Sequence, residues 1–234
     1  MTTAARYFLD RLQDDTPSHR AIQIVAFGDS VTQGAMEMGR SSPDETYHRL
    51  LQKDLEAFFP AKTINVTNSG IGGQTAVQGL DRLERDVLAH TPDLLLIAFG
   101  LNDSTLGLEA LQNFEKAIRE MVISARAQTE TTIVILTPPF MATERTHKIH
   151  SQHEAIAEII IRTQTQGILE KYAAKLRVIA REEGVILADI YAEWDRLKRA
   201  GIDMNNWLAN GLNHPDVRGH RIAARAIWNA LFTN

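Results

Sequence analysis

The sequence predicts an α/β protein: a mostly parallel sheet of five strands with helices on both faces. Short apolar runs alternate with stretches of helical spacing along the 234 residues. The runs are apolar throughout, as strands covered on both faces are. No internal repeat or low-complexity segment interrupts the alternation, and such alternation predicts a layered α/β domain.

The first strand is expected over 22–27 (Ile-Gln-Ile-Val-Ala-Phe), ending at Gly28. An irregular stretch with Gly34, Gly39, Ser41, Ser42 and Pro43 follows. From Tyr47 to Phe58 the residues Tyr47, Leu50, Leu51, Leu55 and Phe58 share one helical face, and Pro60 stops the helix. A second strand is expected over 63–66 and a helix over 75–88. Leu94 to Phe99 is the clearest buried strand, bounded by Pro92 and Gly100. A helix over 108–127, a strand over 132–136 and a hard break at Pro138-Pro139 come next. Residues 151–183 read as helix, in two pieces around Gly167. A fifth strand over 185–190 and a closing helix over 222–232 complete the series. Residues 1–20 are expected to be an N-terminal extension whose helix packs on the domain, with 21–234 as a single domain.

Composition narrows the function classes. Apolar residues make up 44% and charged residues 23%, so the chain can bury a sizeable core. The formal net charge of −4 argues against nucleic acid and anionic membrane as partners. With no cysteine, disulfides, thiolate metal sites and a cysteine nucleophile are excluded, and a reducing, cytoplasmic location is the expectation. The N-terminal residues carry Asp10, Asp14 and Asp15 and lack a long apolar run, so neither a signal peptide nor membrane insertion is predicted.

Four separated segments carry the chemistry: Gly28-Asp29-Ser30, Gly70-Ile71-Gly72-Gly73, Gly100-Leu101-Asn102-Asp103 and Asn213-His214-Pro215. The first three follow directly after predicted strands one, two and three, where open α/β sheets place their sites. Serine is a poor nucleophile unless a base takes its proton, so Ser30 needs a histidine, and His214 in a Gly- and Pro-bounded loop is the candidate. Hydrolysis of an ester also needs donors for the oxyanion. Gly73 lets backbone N–H approach a substrate, the N–H of Ser30 adds a second donor, and the Asn102 amide offers a third. Taken singly, Gly-Asp-Ser is a turn, the glycines are a strand-to-helix turn, Asn102 is a helix cap and His214 is a surface residue. Only the conjunction points to catalysis.

In their order these segments resemble the blocks of the SGNH hydrolases, also called GDSL-type esterases and lipases. Gly28-Asp29-Ser30 is similar to the nucleophile block, Asn68-Ser69-Gly70-Ile71-Gly72-Gly73-Gln74-Thr75 to the glycine block, Gly100-x-Asn102-Asp103 to the asparagine block and His214-Pro215 to the histidine block. The resemblance implies a flavodoxin-like three-layer α/β/α sandwich, no metal, no cofactor and hydrolysis of esters or thioesters. It implies Ser30 as nucleophile, His214 as base, and Ser30, Gly73 and Asn102 as the oxyanion hole. The family usually carries an aspartate three residues before the histidine, and here that position is Gly211. A backbone carbonyl of the 209–212 loop is the first expectation for the group that holds the ring, giving a Ser–His dyad, and Asp203 is the second.

The expected substrate is a small-molecule ester: an acetyl or other short-acyl ester of a carbohydrate or small alcohol. A thioesterase or lysophospholipase-type hydrolase is the nearest variant, and homo-oligomerisation is left open. A non-catalytic carbohydrate-binding relative is one rival, motivated by Gly211. A dinucleotide-binding domain is another, weakened because the sixth position of the glycine segment is Thr75 and the third strand ends in Gly100-Leu101-Asn102 with no acid at its tip to hold a ribose. His147, His150 and His153 recur every third residue, but no carboxylate cluster completes a metal site, and they read as a solvated face on a loop over the crevice. Trp194 and Trp207 read as core, with Trp207 a candidate sugar platform. Phe140-Met141 reads as either acyl-pocket lining or packing.

Overall fold

The computed structural model describes residues 5–14 and 20–233. Five strands, β1 (Ile22–Gly28), β2 (Ile64–Gly70), β3 (Leu94–Ala98), β4 (Thr132–Leu136) and β5 (Ile186–Ala188), form one sheet in the order β2-β1-β3-β4-β5. Every pairing is parallel. This is the order of flavodoxin-like doubly wound sheets.

Side-chain alternation along the central strands divides the core into two layers. Ile24, Ala26, Leu94, Leu96, Val134 and Leu136 face the layer covered by α1 (Arg6–Gln13), α3 (Tyr47–Phe58) and α11 (Val217–Phe232). Val25, Phe27, Leu95, Ile97, Ile133 and Ile135 face α4 (Ala76–Leu80), α7 (Leu111–Gln128) and α9 (Ile168–Glu183). Strands buried on both faces have no polar side to show, and each fully buried Leu or Ile stabilises the fold by about 1.5–3 kcal/mol. α1 lays Phe8, Leu9 and Leu12 into the first layer, and Asp93 anchors it, accepting from Tyr7, Arg11 and Arg20 at the amino end of β3. The rest of the 1–20 extension, residues 1–4 and 15–19, lies outside the described residues.

Several boundaries move from the sequence expectation. β2 runs four residues further, to Gly70, through the polar Thr67, Asn68 and Ser69, because an edge strand needs apolar residues on fewer positions. The helix expected over 75–88 breaks into α4, α5 (Leu83–Asp86) and a 3₁₀ turn over 88–90, with Arg82 turned inward between them. β5 stops at Ala188, because Asp189 caps a helix, α10 (Ile190–Arg199), that the strand reading obscured. Asp216 caps α11, so the closing helix begins at Val217, five residues earlier than expected. The 151–183 stretch breaks at Gly167 (φ 71°), giving α8 (Glu154–Thr165) and α9. Among the described residues no helix is long and apolar enough to cross a membrane.

Candidate active site

The chain leaves β1 toward β2 on one side, then returns past β1 to β3 on the other. The crevice at this reversal, beyond the carboxyl ends of β1 and β3, is where ligands bind in such sheets. The Gly-Asp-Ser turn forms one wall. Asp29 Oδ1 accepts from Val31 N at 3.0 Å and so caps the short helix α2 (Ser30–Gln33). Ser30 occupies the first helical position, where the backbone N–H has no partner within the helix. Helix α2 presses directly onto the strand ends. A Cβ on Gly28 would stand 2.2 Å from Thr32 Oγ1, and one on Gly70 would stand 2.2 Å from Gln33 N. These two glycines are therefore steric requirements of the turn that presents Ser30.

Ser30 Oγ lies 3.0 Å from His214 Nε2, and His214 Nδ1 lies 2.8 Å from the carbonyl oxygen of Met36. A carbonyl only accepts, so Nδ1 carries the proton and Nε2 is free to accept from the serine hydroxyl. The orienting carbonyl comes from the loop after α2 rather than from residues 209–212, which corrects the sequence expectation. That loop is tightly closed: Gly34 N and Ala35 N both donate to Ser30 O, and Met36 N donates to Arg40 O at 3.0 Å. Asp203 is engaged elsewhere, accepting from Asn205 N at 2.9 Å, and Asp216 caps α11 and pairs with Arg218 at 2.6 Å.

Asn210 shapes the histidine loop. Its Oδ1 accepts from the backbone N–H groups of Leu212, Asn213 and His214, each at 3.0 Å. Gly211 adopts φ 69°, and a Cβ there would stand 2.6 Å from Thr146 Oγ1 and 2.9 Å from Lys148 Cβ. The strap through residues 146–149 thus fills the space an aspartate side chain would need.

The glycine loop forms the opposite wall. Gly72 N donates to Gln33 Oε1 at 2.9 Å, and a Cβ on Gly72 would lie 3.8 Å from Ser30 Cβ. Gly73 (φ 76°) is exposed, with nothing within 4 Å of the position a Cβ would take. Asn102 donates one amide hydrogen to Gln74 O at 3.0 Å, which joins the β3–α6 turn to the glycine loop, α6 being Leu101–Thr105. An amide carries two hydrogens, so the second is available to another acceptor. Next to it, Asp103 Oδ1 accepts from Ala76 N at 2.8 Å and ties the start of α4 to the same turn.

Burial sets the electrostatics. It pushes the Asp29 carboxyl up to about 7 and the Asp103 carboxyl up to about 6. It holds His214 below the ordinary histidine value, with the Met36 carbonyl opposing that fall. His48 and His220 are pushed down to about 4 and about 3 by the same cause, and His220 Nδ1 accepts from Tyr47 N.

The remaining candidates fall outside this pair. Trp194 is fully buried, and part-buried Trp207 packs edge-on against it with the Arg218 guanidinium 4.8 Å from the ring centroid, so one face of that ring is covered. Phe140 and Met141 are core residues. His150 and His153 lie with ring centroids 6.3 Å apart, and among the described residues no three His, Cys, Asp or Glu side chains are grouped to hold a metal. Neither Met36 nor Arg82 stood out in the sequence, and Asp103 was expected only as part of the asparagine segment; what Met36 and Arg82 do depends on contacts with residues distant in the chain.

A doubly wound parallel sheet with a hydrogen-bonded serine and histidine at its reversal point has the parts of a hydrolase with a serine nucleophile. The chain belongs to the GDSL-like lipase/acylhydrolase family, whose profile matches residues 26–222. It is 25% identical over 227 residues to an acetylxylan esterase of Geobacillus stearothermophilus, covering 89% of this chain and 93% of the relative. A shorter match, 33% over 91 residues, covers 38% of this chain and 42% of an arylesterase of Vibrio mimicus. Among solved structures, a histidine mutant of the Geobacillus enzyme superposes with a TM-score of 0.69 at 21% identity, covering 92% of this chain and 97% of that one. An α/β hydrolase from a lake metagenome gives the same score at 23% identity, covering 91% and 96%. The Geobacillus enzyme has been solved as catalytic mutants at a serine, a histidine and an aspartate three residues before that histidine. The chain is a carboxylic ester hydrolase.

Proposed function

We propose that the protein is a serine esterase acting on short-acyl esters, acetyl first, of a carbohydrate or small alcohol. Ser30 Oγ attacks the ester carbonyl carbon while its proton passes to His214 Nε2. The negative charge collects on the former carbonyl oxygen, which accepts from Ser30 N–H, Gly73 N–H and the second hydrogen of the Asn102 amide. Collapse breaks the bond to the alcohol, which leaves with the proton from His214. Water, deprotonated by His214, then repeats the sequence at the acyl-enzyme and releases the acid. Each fixed donor to the oxyanion is worth about 3–4 kcal/mol in such reactions.

The observation that carries this reading is the 3.0 Å contact of Ser30 Oγ with His214 Nε2 while Nδ1 is committed to Met36 O at 2.8 Å. The acyl preference is supported by the acetylxylan esterase relative.

Labelling with a fluorophosphonate, read by intact mass, tests the proposal. One adduct on the wild type and none on Ser30→Ala is expected. A folded wild type that takes no adduct would overturn the esterase reading in favour of a carbohydrate-binding relative.

A further inference from the structure

Arg82 is the buried cation nearest the glycine loop, and its guanidinium is used on every edge. Nε donates to Gln74 Oε1 at 2.6 Å, Nη1 to Ser69 O at 2.8 Å and Asp86 Oδ2 at 3.1 Å, and Nη2 to Gly28 O at 2.9 Å. Its carbon lies 4.5 Å from the centroid of the Phe27 ring. One planar fork therefore joins the residue before Asp29, the end of β2 and the glycine loop. Gln74 is gripped from two sides, its side chain by Arg82 and its carbonyl by Asn102 at 3.0 Å. On the other side of Gly73, Gly72 N is held by Gln33 Oε1. Gly73 has nothing within 4 Å of its Cβ position and a φ of 76°, so the direction of its N–H is set by how residues 72 and 74 are fixed.

Resting on the esterase reading above, we propose that Arg82 is a positioning residue for the oxyanion hole, acting through Gln74 on both the Gly73 N–H and the Asn102 amide. Arginine suits the task because its donors leave in fixed directions from one plane, whereas a lysine ammonium, with three donors on one atom, cannot address these four acceptors. The consequence is a transition-state effect. Donors displaced by the loss of the fork still admit substrate, but they no longer meet the oxyanion, and a misplacement of about 1 Å costs about 10²-fold in rate.

The test compares wild type, Arg82→Ala and Gln74→Met on a short-acyl nitrophenyl ester. Arg82→Ala is expected to lose about 10²-fold in kcat with KM little changed. Added guanidinium chloride at a non-denaturing concentration is expected to restore part of kcat in Arg82→Ala and none in the wild type. Gln74→Met, which leaves the bonds from Arg82 to Gly28 and Ser69 in place, is expected to fold with a slightly lowered Tm and to lose about tenfold in kcat, the lower end of what a hydrogen bond from a charged donor carries. A folded Arg82→Ala with wild-type kcat, or a Gln74→Met with wild-type kcat, overturns the proposal. If Arg82→Ala does not fold, Gln74→Met alone decides. Amide hydrogen exchange over residues 70–74 separates the two readings. Loss of protection in Gln74→Met supports the clamp even if the wild type takes no fluorophosphonate, and unchanged protection there overturns it.

Discussion

The carbonyl oxygen of Met36 stands 2.8 Å from Nδ1 of His214, across 178 residues of chain, in the role that a carboxylate has in a complete triad. A carbonyl fixes the tautomer and the ring plane as a carboxylate does. In the proposed mechanism it contributes a partial charge rather than a full one to the imidazolium.

The proposed mechanism therefore needs no aspartate near His214. Asp203→Asn and Asp216→Asn are each expected to keep most esterase activity, while His214→Ala loses on the order of 10³-fold or more. Asp216→Asn disturbs the cap of α11 and its pair with Arg218, so its cost appears in the melting temperature, at about 1 kcal/mol or less. A loss of activity close to that of His214→Ala in either variant would show that a carboxylate orients the ring.

Rebuilding the triad by Gly211→Asp is expected to fail. The residue would carry a side chain at φ 69° and meet Thr146 and Lys148 at under 3 Å. Left-handed strain costs about 1–3 kcal/mol and overpacking costs a similar amount. Thermal unfolding should show a clear loss of stability, with kcat/KM at or below the wild type. A variant more active than the wild type would mean that the 146–149 strap yields.

The rate should depend on pH through His214 in its neutral form. Burial lowers its proton affinity and no carboxylate raises it. The base therefore stays neutral to lower pH, and the acid limb of kcat/KM should have its midpoint below about 6.5, the ordinary histidine value. A midpoint above that value would require a negative group beside the ring.

Asp29 bears on stability in the opposite sense. Its carboxyl titrates at about 7 when folded against a reference value of 3.8, so the folded state holds the extra proton between these values. Stability from this group is present below pH 4 and is lost as pH rises toward about 7. Asn keeps an acceptor for Val31 N and does not titrate. Asp29→Asn should therefore gain stability relative to wild type on going from pH 4 to pH 8, by about 2–4 kcal/mol. Denaturant midpoints at the two pH values measure this, and a difference that is flat with pH would contradict it.

The fold was legible because its main signal is local. Leu94 to Phe99 and Ile22 to Phe27 are short apolar runs bounded by turn residues, as strands covered on both faces are, and helical spacing such as that of Leu50, Leu51 and Leu55 marks the layers around them. Boundaries were less legible where a polar residue has a tertiary task. Asn68 and Ser69 extend an edge strand, Arg82 breaks a helix to reach three loops, and Asp189 ends β5 by capping α10.

By itself the sequence determined a mostly parallel sheet of five strands alternating with helices, and the segments that carry Ser30, Gly73, Asn102 and His214. Periodicity and short motifs depend only on neighbours along the chain. What faces the far nitrogen of His214 was decided by tertiary structure alone. That acceptor is a backbone carbonyl, which every residue possesses, so no side-chain pattern marks Met36. The strap against Gly211, the fork of Arg82 and the hold on Gln74 are likewise contacts between loops distant in sequence, and they exist only once both core layers have packed.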